Sequence, residues 1–182
     1  MFNLILVDLN KEKLDKKVTE LQYLNPQTNI IAMKGNLSNI EGIEGFVQSL
    51  KELIEKKIDI NIIVNNVGMG GGSGPYFDVS PKQIALCTVC NFGCQYTINK
   101  ELIPYLRKRD KRSAIINLAS STGVFFSPYL GIYSTIKHLL DIYTRTLALE
   151  NSQNIDIISA RPFGVTTPLM KMRKENSLIT PS

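Results

Sequence analysis

Short apolar runs alternate with amphipathic stretches along the whole chain. Leu4 to Val7, Asn29 to Met33, Ile60 to Val64, Ala114 to Leu118 and Ile155 to Ser159 read as buried strands, because each run is mainly apolar and too short for a helix. The stretches between them repeat at helical spacing. Asn10 caps a helix carrying Leu14, Val18 and Leu21. Ser38 and Glu41 predict a capping box before the stripe Ile43, Phe46, Val47, Leu50, Leu53 and Ile54. Ser80 caps, and Pro81 starts, a long helix carrying Ile84, Cys87, Cys94 and Ile98, which Pro104 is expected to kink or end. Tyr133 to Glu150 is a further helix with Ile136, Leu140, Tyr143 and Leu147 on one face. Apolar strands separated by helices predict an α/β domain in which one parallel sheet carries helices on both faces. Such sheets bind nucleotides at the carboxyl ends of their strands. Functional residues are therefore expected just after Val7, Met33, Val64, Leu118 and Ser159.

Composition narrows the field. The 182 residues fit one domain over 1–182, with no internal repeat, low-complexity segment or linker. The net charge of +5 allows an anionic partner. No dense basic run interleaved with aromatics supports nucleic acid, and Arg107, Lys108, Arg109, Lys111 and Arg112 read as a solvated loop. Three cysteines make no disulfide framework and fit a reducing compartment. Cys87, Cys90 and Cys94 read as small residues on one helix face. The only histidine, His138, is far from them in sequence, so no metal site is expected. No apolar run is long enough for a transmembrane span, and no leader is visible, so the chain reads as cytosolic.

The candidate chemistry lies at the strand ends. Tyr133 and Lys137, four residues apart, share a helix face. A phenol is a poor acid–base catalyst near neutral pH unless a cation favours its phenolate, and Lys137 supplies one. On its own the pair also reads as an ordinary surface pair. Ser120 follows the strand Ala114–Leu118, where a hydroxyl can bond a substrate oxygen as charge develops on it, or simply shape a turn. Asn65 and Asn66 can bond backbone across the sheet, and Gly68 after Val67 lets a ligand approach closely, or the four make a turn.

Taken together, these segments resemble the short-chain dehydrogenase/reductase family. Asn65-Asn66-Val67-Gly68 is similar to its Asn-Asn-Ala-Gly motif, Asn117 to Ser121 to its serine segment, and Tyr133-Ser-Thr-Ile-Lys137 to its Tyr-x-x-x-Lys. Asn91 matches its fourth catalytic position. The resemblance implies a Rossmann-like, doubly wound, three-layer αβα domain. It implies that Tyr133 is the general acid/base, Lys137 lowers its pKa and holds the nicotinamide ribose, Ser120 orients substrate and Asn91 supports a water-mediated proton relay. The string Ile60 to Met69 and the end Arg161 to Arg173 look most like the very-long-chain 3-ketoacyl-CoA reductase and 17β-hydroxysteroid dehydrogenase group, as does the run ending Pro181-Ser182. This implies reduction of a ketone, or the reverse reaction, with 3-oxoacyl-CoA favoured over a steroid. By position Val165 and Thr167 would contact the nicotinamide carboxamide. A homo-oligomer, and an endoplasmic-reticulum membrane location for a longer form, are allowed by the same likeness.

Asp8 ends the first strand, where a carboxylate accepts ribose hydroxyls and repels a 2′-phosphate. Leu9, not a base, follows it, so NAD is favoured over NADP, with Lys11 and Lys13 the bases that could override it. Asn36 occupies the family's adenine-contacting position. The family's opening strand and Gly-rich phosphate turn have no counterpart here, nor has its last strand. Gly68 to Gly74 follows the wrong strand and lacks G-x-G-x-x-G spacing, so it reads as a flexible loop. In the family's strand order the missing strand is central, so Leu4–Val7 and Ile60–Val64 must either pair directly or keep open edges. The competing reading is an inactive fragment, from a truncated chain or an incomplete gene model, serving as a binding or interaction module.

Overall fold

The computed structural model describes residues 3–72 and 74–165. In chain order the elements are β1 (Leu4–Asp8), α1 (Lys11–Leu24), β2 (Ile30–Lys34), α2 (Ile40–Glu55), β3 (Ile62–Asn65), α3 (Pro81–Thr88), a π-helical turn (Val89–Gly93), α4 (Cys94–Leu106), β4 (Ser113–Leu118), α5 (Gly131–Glu150) and β5 (Ile155–Ala160). Short 3₁₀ turns lie at Tyr76–Asp78 and Ser121–Gly123.

Local chemistry sets the helix ends. The Asn10 side chain accepts the Lys13 N–H at 3.0 Å and starts α1. The expected box of Ser38 and Glu41 does not form. Asn36 Oδ1 captures the Ser38 hydroxyl at 2.6 Å, and Asn39, an equally good cap, accepts the Gly42 N–H at 2.8 Å instead. Ser80 caps α3 and closes a box with Gln83. Pro104 does not end its helix, which runs on to Leu106. The flanking side chains Leu102, Ile103 and Leu106 are all buried, and that burial holds the last turn against the lost hydrogen bond.

All strand pairs are parallel, but the five strands do not make one sheet. β1 pairs with β2, and β3, β4 and β5 form a second sheet in that order. β1 and β3 are not hydrogen-bonded to each other, so of the two expected alternatives the open edges hold. The two sheets nonetheless share a core. Ile43, Phe46, Val47 and Leu50 of α2 and Ile98, Leu102 and Leu106 of α4 join Ile63, Ile115 and Ile155, with Ile5, Val7 and Met33 packed against them. Because the strands are parallel, Asp8, Asn65, Leu118 and Ala160 close their strands at one pole of their sheets. Among the described residues no helix is long and apolar enough to cross a membrane.

Candidate active site

The catalytic quartet predicted from sequence comes from three elements meeting at the carboxyl ends of β3 and β4. Lys137 projects inward from α5 and is only 3% exposed. Its Nζ donates to the Leu118 carbonyl at 2.6 Å and stands 5.7 Å from the centroid of the Tyr133 ring. Burial drops the lysine from 10.5 to about 8, against a smaller upward pull from Cys94, Cys90 and Cys87. A cation beside a phenol stabilises the phenolate form in general.

Asn91 is fully buried in the π-helical turn. The extra residue of that turn leaves backbone carbonyls within reach of side chains. Asn91 Nδ2 donates to Met69 O and Cys87 O, both at 2.9 Å, and to Cys87 Sγ at 3.2 Å, while Oδ1 accepts the Met69 N–H at 3.2 Å. The side chain thereby clamps the segment after Gly68 onto the helix. Gly68 sits in the corner between Asn91 and Lys137. A Cβ there would lie 2.8 Å from Asn91 Oδ1 and 3.6 Å from Lys137 Nζ, so only glycine fits without displacement. Val67 packs against the core through its side chain.

Ser120 opens the 3₁₀ turn after β4 and is mostly buried. Its Oγ accepts from Thr122 N at 3.3 Å and Thr122 Oγ1 at 2.9 Å, leaving its own hydrogen to donate. Gly123 of the same turn abuts the backbone of Lys137 and His138, which fixes the turn against α5. The Ser121 N–H donates to Pro162 O at 3.1 Å, tying the segment after β5 to the same turn. Val165 is exposed at the end of that segment. Thr167, Pro181 and Ser182 lie outside the described residues.

Three expected cofactor positions have partners within the chain. Asn65 is buried, and its Nδ2 is committed to Asn99 Oδ1 and Asn117 Oδ1, both at 2.8 Å. Asn36 Oδ1 was expected to accept an adenine amine but already accepts from Ser38 N and Ser38 Oγ. Asp8 is exposed at the end of β1, with Oδ1 accepting the Asn10 N–H at 2.7 Å.

Several contributors were not singled out in the sequence. Asn117 Nδ2 donates to Thr144 Oγ1 at 2.9 Å, and Thr144 in turn donates to Leu140 O at 2.6 Å. With Asn65 and Asn99 this chain of bonds pins β3, β4, α4 and α5 together. Asn117 did carry a signal, being a polar residue inside an otherwise apolar run. Asp141, one turn beyond Lys137, accepts from Ser159 Oγ at 2.5 Å and from Arg161 Nε at 2.7 Å. Burial works to raise its pKa, but these two bonds and the cationic neighbours outweigh it and hold the carboxyl low. Cys87, Cys90 and Cys94 are all buried and unpaired, as expected of helix-face residues. Burial pushes all three thiols up, Cys94 to about 12. No group of three or more metal-ligating side chains occurs among the described residues.

Two loops, one after β3 and one after β4, are joined to each other. Gly74 N–H donates to Tyr129 O at 3.1 Å, holding Tyr129 at a φ of 63°, a left-handed conformation costly for a non-glycine residue. Tyr76 and Phe77 on one loop and Val124, Phe125, Phe126 and Tyr129 on the other are exposed. The residues from Ser113 to Ile136 include no charged side chain.

Comparison with known proteins identifies the family. Residues 2–178 match the family model for short chain dehydrogenase. A very-long-chain 3-oxoacyl-CoA reductase of Podospora anserina is 30% identical over 98% of this chain and 52% of its own length. A Danio rerio very-long-chain 3-oxoacyl-CoA reductase is 31% identical over 95% of this chain and 55% of its own length. The chain thus spans about half the length of these relatives. Levodione reductase superposes with a TM-score of 0.85 at 20% identity, over 96% of this chain and 67% of that one. A Brucella melitensis 3-ketoacyl-(acyl-carrier-protein) reductase, solved with NADH, superposes with a TM-score of 0.81 at 22% identity, over 92% and 67%. At these identities the structures speak to the fold alone. The family match across nearly all of the sequence, with relatives in the very-long-chain 3-oxoacyl-CoA reductase group it resembles, makes this chain a member of the short-chain dehydrogenase/reductase family of oxidoreductases.

Proposed function

We propose that this chain carries the catalytic portion of a nicotinamide-dependent reductase that converts the ketone of a 3-oxoacyl-CoA to an alcohol. The observation that carries this reading is the corner formed by Lys137, Tyr133, Asn91 and Gly68: a buried ammonium beside a phenol, with room kept clear by a glycine. The residues fit the two ends of a nicotinamide dinucleotide. Lys137 would hold the nicotinamide ribose and Asp8 the adenosine ribose. When bound, the cofactor supplies the hydride. Tyr133 gives its phenolic proton to the carbonyl oxygen as charge builds there, and Lys137 stabilises the phenolate left behind. Ser120 Oγ donates to the same oxygen and orients the substrate, and Asn91 supports the path by which the phenol is reprotonated.

The exposed aromatic side chains Tyr76, Phe77, Phe125, Phe126 and Tyr129 support an apolar acyl group over a sugar-like one. Asp8 supports NADH over NADPH. The test is oxidation of NADH and of NADPH by the purified chain with a 3-oxoacyl-CoA, beside Tyr133→Phe. Turnover that Tyr133→Phe abolishes supports the reading. Turnover unchanged in Tyr133→Phe, or reduction of polar ketones alone, refutes it.

A second reading, in which this chain alone binds cofactor weakly, is favoured by one observation. β1 and β3 lie in separate sheets, and among the described residues no glycine-rich strand–turn–helix offers N–H groups to a pyrophosphate.

A further inference from the structure

Asp141 is buried, charged and unused in the chemistry proposed above. It stands on α5 one turn beyond Lys137, with 5% of its surface exposed. A carboxylate so buried needs bonded oxygens to stay charged. Its Oδ1 accepts from Ser159 Oγ at 2.5 Å and from Arg161 Nε at 2.7 Å. The charges of Arg161 and Arg145 add to these bonds. Arg161 keeps 40% of its side chain exposed, so it brings its positive charge to the carboxylate from the surface.

The two donors stand on either side of Ala160, the last residue of β5. Ala160 is paired in register with Leu118 of β4, whose carbonyl receives Lys137 Nζ at 2.6 Å. Successive turns of α5 are therefore fixed to neighbouring strand ends, Lys137 to β4 and Asp141 to β5. Pro162 follows Arg161 and confines it to extended backbone. The Pro162 carbonyl then accepts the Ser121 N–H at 3.1 Å, and Ser121 opens the turn that Ser120 caps. Covalent and hydrogen bonds thus run without a break from Asp141 through Arg161 and Pro162 to the residue beside Ser120.

Resting on the functional reading above, we propose that Asp141 is a positioning residue for Ser120. Its bonds to Ser159 and Arg161 set where the chain leaves β5, and the Pro162 carbonyl carries that position to the turn after β4. Arg161 is the exposed half of the clamp. The alignment of the Ser120 hydroxyl with a substrate oxygen therefore depends on an ion pair outside the catalytic quartet.

The test compares the wild-type chain with three variants: Asp141→Ala; Arg161→Met, which keeps the apolar stem and loses the donor; and Arg161→Lys, which keeps a cation. The readout that needs no activity is amide hydrogen exchange at Ser121, set against Ile115, which is fully buried within β4. Loss of the charge-assisted bond should speed exchange at Ser121 about tenfold in Arg161→Met and leave Ile115 within about twofold of the wild type. Arg161→Lys should restore most of the protection. A merely stabilising ion pair would speed both amides together. Asp141→Ala can cost the fold itself, and then Arg161→Met and Arg161→Lys decide the matter. Where turnover is measurable, Arg161→Met should lower kcat about fivefold with KM little changed, because a hydroxyl at Ser120 bonds the substrate oxygen most strongly as charge develops on it. Unchanged exchange at Ser121 in Arg161→Met, or equal acceleration at Ser121 and Ile115, would overturn the proposal. The expected exchange pattern in a chain with no turnover in any variant refutes the functional reading and leaves the clamp standing.

Discussion

The buried ammonium of Lys137 should make stability rise with pH in a window that most proteins cross without change. Its folded value, about 8, lies below its ordinary 10.5. Between the two the unfolded chain binds more protons than the folded one, so stability increases with pH there. The full difference corresponds to about 3 kcal/mol at about 1.4 kcal/mol per unit, and roughly 1 kcal/mol of it is recovered between pH 8 and pH 9. The three cysteines oppose the trend as pH nears their ordinary value of 9, because burial raises their folded values and folding then holds protons the unfolded chain has begun to release. They are present in both the wild type and a lysine variant, so the difference between the two chains across pH 8 to 9 isolates Lys137. Urea unfolding of the wild type and of Lys137→Met in closely spaced buffers measures it. Removing the lysine also leaves Leu118 O without its donor, a cost of about 1–3 kcal/mol that does not vary with pH. The slope decides the matter and the offset does not. The wild type should gain about 1 kcal/mol on Lys137→Met across the window. A difference between the two chains that stays flat from pH 7 to pH 9 would show that Lys137 is not held in a desolvated corner.

Further outcomes follow from the same geometry. Gly68→Ala drives a Cβ to 2.8 Å from Asn91 Oδ1, a side chain locked by four hydrogen bonds. It should destabilise by about 1–3 kcal/mol, a drop of roughly 2–10 °C in Tm, and an unchanged melting curve would contradict the packing described. Asn117→Leu strips partners from Asn65 and Thr144 at once and should cost about 2–4 kcal/mol in urea unfolding; a neutral result would mean the amide chain contributes nothing net. Calorimetric titration of the chain with NAD and NADP should show weak binding or none, and no ligand-dependent rise in Tm. Micromolar affinity would mean that another segment supplies the phosphate contacts. Where NADH oxidation is measurable, Asp8→Ser should narrow any preference for NADH over NADPH, and an unaltered ratio would remove Asp8 from cofactor choice.

Element types were legible because the two periods are distinct. Mainly apolar runs of four to six residues gave strands, and stripes such as Ile43, Phe46, Val47 and Leu50 gave helices whose buried faces are those same residues. Boundaries slipped where two side chains competed for one role, as when Asn39 displaced Ser38 as a cap because Asn36 had taken the Ser38 hydroxyl. Pro104 misled because a local rule was outweighed by burial on both sides of it. Strand pairing was the hardest to read, since each run matches a parallel strand equally well wherever it sits. Only the family resemblance raised the alternative of open edges at β1 and β3. The spacing of Tyr133 and Lys137 and the place of Ser120 after a strand were visible in one dimension. The π-helical turn that turns Asn91 inward was not, nor was the use of Asn65 as scaffold, because both depend on partners 22 to 52 residues away.

The site and the gap in the sheet are physically separable. Lys137 is held by Leu118 of β4, Asn91 by Met69 and Cys87, and the supporting amides by Asn65, Asn99, Asn117 and Thr144. Every one of those partners lies between β3 and α5. The open edges lie on β1 and on the far side of β3 from β4. The bonds that hold Lys137 and Asn91 are therefore made away from those edges. The reverse also holds. The side chains of Asp8, proposed to hold the adenosine ribose, and of Asn36 bond to Asn10 and Ser38, close to them in sequence, so substitutions there should leave the titration of Lys137 where it is. Measuring that titration in Asp8→Ser checks the separation, and a shifted midpoint would show that the two halves are coupled through the core shared by Val7, Phe46 and Ile63.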